Sequence, residues 1–477
     1  MNKAIDSELA PVSASEATIA ATLADFVANL RVETIPPEVL ARARHLILDA
    51  VGIAHASAHY DFAHRALSAA SELSEGYGDT PVIGLAARLQ RRDALLLNGI
   101  LIHGLDYDDT HARGVIHATA SCFPCAMGVA AQVDASGDEL LAAYVAGMEV
   151  ATRLAAVARG GFHQVGFHPT GLIGAFACAL IAGRLFGLNA RQLAMAQGIA
   201  LSTAAGSMEF LQDGAWTKRM HPGWAAVAGV TAATLARHGF VGPRAAYEGR
   251  FGLFNSHLGP LAADCDLSLA TAGLGQVWEV AQVAVKPIPA CHFTHACIDA
   301  AAELRRRHDI APERIRQVRA LVPREVVKTV CEPVATKQSP QNSYDAQFSI
   351  PYAVATALSK GRFALDDLDE AALRDERVLA LARKVDYAID PDSPFPKYYS
   401  GEVVVTLDDG RELRHREQIN RGAADRPLDN REIVRKFDEN MALVVAPARG
   451  EAVRALVLAL GRGVDARALQ EGLAGRH

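Results

Sequence analysis

A chain of 477 residues is longer than a single hydrophobic core usually supports, so its length predicts two domains. Half of the residues are hydrophobic and 21% are charged, which is the balance of an ordinary globular protein rather than a disordered one. The formal net charge is −6, and both signs are mixed along the chain. This pattern disfavours a nucleic-acid partner and a membrane surface, because both attract clustered lysines and arginines.

The N-terminal stretch MNKAIDSELAPVSASE has acidic residues where a secretory leader would need an apolar centre, so we expect no leader. The seven cysteines are scattered, which is typical of reduced thiols and predicts a cytoplasmic protein. Cys122 and Cys125 form a CxxC pair, but Pro124 lies between them and no second pair follows. Because cluster and zinc sites need more ligands, two small buried side chains are the better interpretation.

From about residue 15 to residue 275, apolar residues recur at helical spacing. PPEVLARARHLILDAVGIA begins with prolines suited to a first helical turn. GDELLAAYVAGMEVATRLAAVA predicts a second long helix, with Glu149 and Arg153 paired on its polar side. The longest strongly apolar run, residues 171–183, is shorter than the roughly 20 residues that span a bilayer, so it predicts a buried helix. A compact bundle of helices follows from these patterns.

From about residue 276 the pattern changes to short β-like segments. Residues 315–322 alternate as a strand does, and residues 401–418 predict a hairpin around Asp-Asp-Gly. From about residue 427 the chain is helical again, in NREIVRKFDENMALVV and EAVRALVLAL. We therefore predict a mainly α fold with an α+β part. A large all-helical domain (1–275 and 425–477) is interrupted by a smaller α+β lid domain (276–424), called the α+β segment below.

Common catalytic motifs are absent from the sequence. It has no GxGxxG between strand and helix, no GxxxxGK[ST], no GxSxG and no HExxH, which disfavours dinucleotide, nucleoside-triphosphate, α/β-hydrolase and zinc-protease chemistry. Instead, the sequence contains four short polar segments, called polar islands below, flanked by residues rich in glycine and alanine. They are HGLDYDDTHARGVIH (103–117), GFHPTG (166–171), TKRMHPGWAA (217–226) and VKPIPACHFTHACIDA (285–300).

In order and spacing these islands resemble the MmgE/PrpD family. TLADFVANLRVETIPPEVLARARHLILDAVG and CEPVATKQSPQNSYDAQFSIPYAVATALSKG extend the resemblance over nearly the whole chain. The family contains 2-methylcitrate dehydratases, cis-aconitate decarboxylases and an iminodisuccinate epimerase, which act on small polycarboxylates without a cofactor. The resemblance implies a helical domain with an α+β lid, a homodimer, no cofactor and a small polycarboxylate substrate.

Each of these reactions makes or breaks a bond at a carbon next to a carboxylate, so negative charge grows there and needs fixed cations and donors. By the resemblance, His117 is the first candidate for proton transfer, and Asp106 sets its orientation or charge. Lys218 is the third catalytic candidate, as a carboxylate ligand or as the base if burial lowers its pKa. The implied substrate-binding residues are Thr110, His168, His221 and Lys286. The i, i+4 spacing of Asp106 and Thr110 predicts one helical face.

Other interpretations of these residues remain open. His103, flanked by apolar residues, is more typical of a satisfied core side chain than of a catalyst. Asp108 and Asp109 are expected to cap or orient their neighbours. A metal site built from this stretch with His111 is disfavoured, because adjacent carboxylates on a helix diverge, and HFTH at 292–295 lacks a third ligand. We therefore predict no metal site.

Two departures from the family bear on the reaction. Cis-aconitate decarboxylases have a histidine five positions after the lysine that Lys286 matches, where this chain has Cys291, with His292 one position later. They also have a tyrosine shortly after the strand that residues 315–323 resemble, and REVVKTVCEP has none. Which of Cys291 and His292 takes the family position is open at this stage.

The sequence thus favours a cofactor-free hydro-lyase that dehydrates a small hydroxy-di- or tricarboxylate. An epimerase or isomerase of a small dicarboxylate and a cis-aconitate-type decarboxylase are alternatives, and a carboxylate-binding protein without catalysis is the non-enzymatic one. Residues 103–117 are expected to form the charged floor of a cleft between helical domain and lid. Asp106 and His117 would point into it, while Asp108, Asp109 and His111 hold the loop.

Overall fold

The computed structural model describes residues 18–423 and 425–475, so the stretch expected to contain no leader lies outside the described residues. Helices make up 59% of the structure and strands 9%, which confirms a mainly α fold with an α+β part. The division into two domains at residues 275 and 425 stays a prediction.

The N-terminal part is helical, as its apolar spacing predicts. The long helix expected at PPEVLARARHLILDAVGIA is α2, and Pro37 occupies its first turn. The helices are α1 (Ile19–Asn29), α2 (Pro37–Ser57), α3 (Asp61–Leu73), α4 (Arg91–His103), α5 (Thr119–Gln132), α6 (Gly137–Val157), α7 (Gly161–Gln164), α8 (Pro169–Leu185), α9 (Ala190–Ala200), α10 (Thr217–Arg237) and α11 (Leu253–Leu258). Two short paired strands, β1 (Thr80–Pro81) and β2 (Arg88–Leu89), lie between α3 and α4.

The centre of this part is built from helices, α6 and α8, that are buried along almost their whole length. Residues 171–183 lie in α8 and are buried throughout, as predicted. Among the described residues, α6 is long and apolar enough to cross a membrane by length and composition alone, yet its apolar window is wholly buried inside the protein. Glu149 and Arg153 of α6 do pair at 3.2 Å, but their expected place on a polar face is wrong. Both side chains are buried, and Arg153 also pairs with Glu279 at 3.3 Å.

A glycine contact brings α4 and α10 together. A Cβ atom on Gly99 would lie 2.4 Å from the Cα of Gly223, and one on Gly223 would lie 2.1 Å from the carbonyl oxygen of Leu96. Only glycine permits backbones to approach this closely. The contact sets the end of α4, at His103, beside the first turns of α10.

The α+β segment contains a four-stranded sheet with strand order β4-β3-β5-β6. Its elements are α12 (His295–His308), β3 (Ile315–Val322), α13 (Val327–Val330), α14 (Val334–Gln338), α15 (Ser343–Gln347), α16 (Ile350–Lys360), α17 (Glu370–Leu373), α18 (Glu376–Ala382), β4 (Val385–Ile389), β5 (Gly401–Leu407) and β6 (Glu412–Glu417). The strand predicted at 315–322 is β3, and the predicted hairpin is the antiparallel pair β5–β6. Alternate residues of β5 are buried, and this face packs on α12.

The C-terminal helices return to the N-terminal part of the chain. They are α19 (Asn430–Ala442), α20 (Pro447–Leu458) and α21 (Ala466–Leu473), of which the first two cover the predicted helical segments. α19 packs on α2, and Lys436 of α19 forms a buried ion pair of 2.7 Å with Asp49 of α2. The same ammonium group donates a hydrogen bond of 2.8 Å to the carbonyl of Tyr107. Through Lys436, α19 therefore helps to hold the 103–117 stretch in place.

Candidate active site

The chain after α4 forms a loop over residues 104–117 rather than a further helix. Asp106 has a φ of 49°, in the left-handed region, so a right-handed helix cannot run through it. Thr110 pairs with Ala284 in an antiparallel bridge, with N–H···O distances of 2.8 Å in both directions. The predicted helical face for Asp106 and Thr110 is therefore wrong, because pairing with a distant segment sets the backbone of this loop.

Asp106 is the point at which three distant segments meet. Its Oδ1 accepts hydrogen bonds from Lys218 Nζ at 2.6 Å and from Lys286 Nζ at 3.1 Å. All three residues are buried, with exposed fractions of 6% for Lys218, 3% for Asp106 and 1% for Lys286. Burial alone would raise the pKa of Asp106, but the two ammonium groups outweigh it and hold that pKa well below its usual range. Likewise burial lowers the pKa of Lys286, yet Asp106 and Asp108 outweigh it and raise that pKa.

His117 lies at the end of the same loop with one ring nitrogen fixed. Its Nδ1 is 2.7 Å from the carbonyl oxygen of Asp109 and 3.1 Å from Thr110 Oγ1. A carbonyl oxygen only accepts, so Nδ1 carries the hydrogen and Nε2 keeps its lone pair. Burial, followed by the charge of Lys286, lowers the pKa of His117 well below its ordinary value. His117 is thus a neutral imidazole that can accept a proton at Nε2.

Two further predicted histidines lie against each other beside His117. The Nδ1 atoms of His168, just before α8, and of His221, in α10, are 3.1 Å apart, so one of the two carries the hydrogen of this contact. The ring centroid of His168 is 6.0 Å from that of His117. Burial lowers the pKa of His168 far below its ordinary value and that of His221 to about 4. Both imidazoles are therefore neutral at neutral pH.

His103 joins this group, although its apolar flanks favoured a core role. Its ring centroid lies 5.2 Å from that of His117 and 5.4 Å from that of His168. Its Nδ1 lies 2.7 Å from Asp108 Oδ2, while its buried Nε2 has no hydrogen-bond partner among the described residues. An unpartnered nitrogen facing other imidazoles is not the pattern of a satisfied core side chain. The sequence signal was available: His103 belongs to the same polar stretch as His117. His103, His117, His168 and His221 are called the imidazole cluster below.

The remaining polar residues of the loop hold it in place, as expected. Asp108 is bound to His103, and Asp109 accepts a hydrogen bond from the Thr119 hydroxyl. His111 Nε2 lies 3.0 Å from Glu279, which also pairs with Arg153 at 3.3 Å. Burial raises the pKa of Asp109 to about 7 despite the Thr119 hydrogen bonds, so this carboxyl is partly protonated at neutral pH.

On the side of the α+β segment, Cys291 and His292 differ in their contacts. His292 Nε2 accepts a hydrogen bond of 2.8 Å from Asn420, and its ring packs on His295 at 4.7 Å between centroids. These contacts occupy His292 inside the α+β segment and favour Cys291 for the position five residues after Lys286. Burial and the charge of Asp106 raise the pKa of the Cys291 thiol to about 11, so it is neutral.

Among the described residues, no open cleft exposes the side chains that were expected to line one. The charged floor is present, but Lys286 is 1% exposed, His168 2% and His117 9%, because side chains from both sides bind one another across it. A small acid can therefore reach the cluster only if the surrounding segments move apart. In the described residues, no group of three or more His, Cys, Asp or Glu side chains is arranged to hold a metal ion.

Comparison with known proteins places these features in a family. The model of the MmgE/PrpD N-terminal domain matches residues 21–265, and that of the MmgE/PrpD C-terminal domain matches residues 288–462. A cis-aconitate decarboxylase-like protein oryM from Aspergillus oryzae is 27% identical over 474 residues, covering 95% of this chain and 96% of the relative. The cis-aconitate decarboxylase of Aspergillus terreus is 27% identical over 483 residues, covering 96% of each chain. That of Homo sapiens is 27% identical over 442 residues, covering 90% of this chain and 89% of the relative.

Proposed function

Because the chain belongs to the MmgE/PrpD family, we propose that it is a lyase that acts on a small polycarboxylate and needs no cofactor. The observation that carries the proposal is the pair of buried lysines on Asp106, beside a neutral His117. Buried ammonium groups bind and orient a substrate carboxylate, and they stabilise the negative charge that grows on it when a proton leaves the adjacent carbon.

The favoured reaction is the dehydration of a hydroxy-di- or tricarboxylate. His117 Nε2 accepts the proton from the carbon next to a carboxylate, and the electrons of the broken C–H bond pass into that carboxylate. Lys218 and Lys286 stabilise the resulting dianion. The electrons then return to form the C=C bond as the C–O bond breaks, and the departing hydroxide takes the proton from His117 and leaves as water. Atoms and charge balance without any further reactant.

Decarboxylation is the second candidate, since the relatives named above are cis-aconitate decarboxylases or resemble them. Two features of this chain weigh against it. Cys291, a neutral thiol, stands where those enzymes have a histidine, and His292 is engaged by Asn420. A thiol with a raised pKa is a poor proton donor at neutral pH, and decarboxylation needs a donor for the carbon that loses CO2.

A substrate panel tests the proposal. The purified protein is incubated with citrate, 2-methylcitrate, cis-aconitate and iminodisuccinate, and products are followed by NMR together with release of CO2. We expect loss of water from a hydroxy acid without CO2. Release of CO2 from cis-aconitate would establish the decarboxylase instead, and tight binding of an acid without turnover would indicate a carboxylate-binding protein.

The lowered pKa of His117 predicts the pH dependence of the reaction. A general base must be unprotonated, and the unprotonated fraction falls as pH drops through its pKa. Burial moves the pKa of His117 well below 6.5, so the acid limb of kcat/KM for the wild-type protein should lie below pH 6.5. A profile of kcat/KM between pH 4 and pH 9 checks this. If the acid limb of kcat/KM had a pKa of 6.5 or higher, the buried His117 would be excluded as the base.

A further inference from the structure

Arg219 follows Lys218 in α10 and is buried, with 5% of its surface exposed. Its Nε donates a hydrogen bond of 2.8 Å to the carbonyl of Gly104, two residues before Asp106. The guanidinium carbon lies 4.4 Å from the ring centroid of Phe62 and 5.6 Å from that of Trp216. Trp216 is 45% exposed, so Arg219 lies one side chain below the surface, between solvent and the Asp106 site.

Arg219 differs from the buried lysines near the site in its ion pairing. Each of those lysines has a carboxylate partner: Lys218 and Lys286 share Asp106, and Lys436 pairs with Asp49. No carboxylate of the described ranges, 18–423 and 425–475, forms an ion pair with Arg219, and its buried Nη1 has no hydrogen-bond partner. Burial lowers its pKa to about 10, so the group stays cationic at neutral pH. Aromatic neighbours offset only part of the cost of burying an unpaired cation.

A second unpartnered donor lies beside it, on the α+β segment. The ring centroid of Tyr344, in α15, is 5.6 Å from the guanidinium carbon of Arg219. Its hydroxyl is buried without a hydrogen-bond partner among the described residues, and burial raises its pKa well above the ordinary value, so it keeps its proton. Tyr344 is 4% exposed. Arg219 of α10 and Tyr344 of the α+β segment are therefore neighbours, and each carries a buried donor without a partner among the described residues.

These donors adjoin the Asp106 site through one aromatic pair. The ring centroids of Tyr344 and Phe348 are 4.8 Å apart, and Lys218 Nζ lies 4.9 Å from the centroid of Phe348. Arg219 thus lies against one ring of this pair and Lys218 against the other, which places Arg219 and Tyr344 next to the Asp106 site.

We propose that Arg219 and Tyr344 form a second carboxylate subsite, which binds the remote carboxylate of the substrate and selects di- and tricarboxylates over monocarboxylates. A guanidinium fork matches the planar geometry of a carboxylate, and the phenol hydroxyl of Tyr344 is a further donor to it. The ligand's role as substrate rests on the lyase function proposed above, whereas the anion subsite itself does not.

Binding of two unreactive probes tests the subsite. Calorimetry on the full-length protein compares propane-1,2,3-tricarboxylate with its terminal monoamide, which lacks one charged end. Because a hydrogen bond to a charged group is lost, Arg219→Met should weaken binding of the tricarboxylate about 10- to 100-fold. Binding of the monoamide should change little. Arg219→Lys and Tyr344→Phe, which disturb the fold less, should each cause a smaller loss confined to the tricarboxylate.

Arg44→Met is the matched control, because Arg44 is also buried and donates from Nε to a carbonyl, that of Leu460, at 2.7 Å. It should lower thermal stability without changing either affinity. Equal losses for both probes in the Arg219 and Tyr344 variants, unchanged affinities, or no binding by the wild-type protein would each overturn the subsite. Selective loss in a protein that turns over no acid would keep the subsite and refute the lyase. Turnover of an acid by the wild-type protein, together with unchanged binding in Arg219→Met, would keep the lyase and refute the subsite.

Discussion

Replacing His117 by alanine should lower kcat by about 10²- to 10⁴-fold, the usual contribution of a general base, while substrate still binds. The tautomer fixed by the Asp109 carbonyl leaves Nε2 as the lone pair that accepts the proton, and alanine removes it. His117→Asn is the gentler variant, since its amide can still donate to that carbonyl but cannot take up a proton. Steady-state kinetics and calorimetric binding of the same acid separate the two effects.

His55 provides the matched control for this experiment. It is a buried histidine whose Nδ1 lies 2.9 Å from the carbonyl of Val51, the same type of bond that holds His117. His55→Ala should lower the thermal stability and leave kcat unchanged. If His117→Asn retained the wild-type kcat, or changed KM alone, His117 would lose its catalytic role.

Replacing Lys286 by methionine should chiefly weaken binding, by about 10²-fold, because breaking a buried charge pair costs about 2–5 kcal/mol. Methionine fills much of the same volume without the charge. Asp106 keeps Lys218 as its partner, so the loop should remain placed, but one of the two cations that neutralise the substrate is gone. The measurement is KM, with the dissociation constant of an unreactive tricarboxylate beside it.

Lys360→Met is the control for the lysine variant. Lys360 forms an ion pair of 2.6 Å with buried Asp367, away from the cluster around Asp106. Its loss should lower stability without changing KM. A fall in kcat at unchanged KM in Lys286→Met would contradict a role in substrate binding and would confine this lysine to stabilising the transition state.

Much of the fold could be predicted from apolar spacing. The helix Pro37–Ser57, the strand Ile315–Val322 and the hairpin around Asp-Asp-Gly all follow local patterns, and local patterns set backbone conformation there. For Glu149 and Arg153, the local pattern predicts the contact between the two side chains but not their burial. Their spacing predicts the ion pair, but only the tertiary structure brings Glu279 against them and buries all three.

Most members of the candidate site could be predicted from the sequence, but its geometry could not. Family resemblance pointed to Asp106, Lys218 and Lys286, which the fold brings within hydrogen-bond distance. The conformation of the loop depends on the bridge between Thr110 and Ala284, 174 positions apart along the printed sequence, which no local spacing reveals.

Two residues were missed for different reasons. His103 looked like a core side chain because its sequence neighbours are apolar, whereas its partners His117 and His168 come from elsewhere in the chain. Arg219 carries no signal in the sequence beyond its place next to Lys218. Its proposed role rests on the lack of an ion-pair partner among the described residues, which can be recognised only when the surroundings of the side chain are known.

Deuterium exchange tests most directly whether this buried cluster removes a proton from the carbon beside a carboxylate. The protein is incubated in D2O with each acid of the panel, and loss of the C–H signal and formation of product are followed by proton NMR. The proposed site predicts exchange or elimination with at least one acid in the wild-type protein, and neither reaction in His117→Asn, which still binds that acid. No exchange or turnover with any acid in the wild type, or undiminished exchange in His117→Asn, would contradict it.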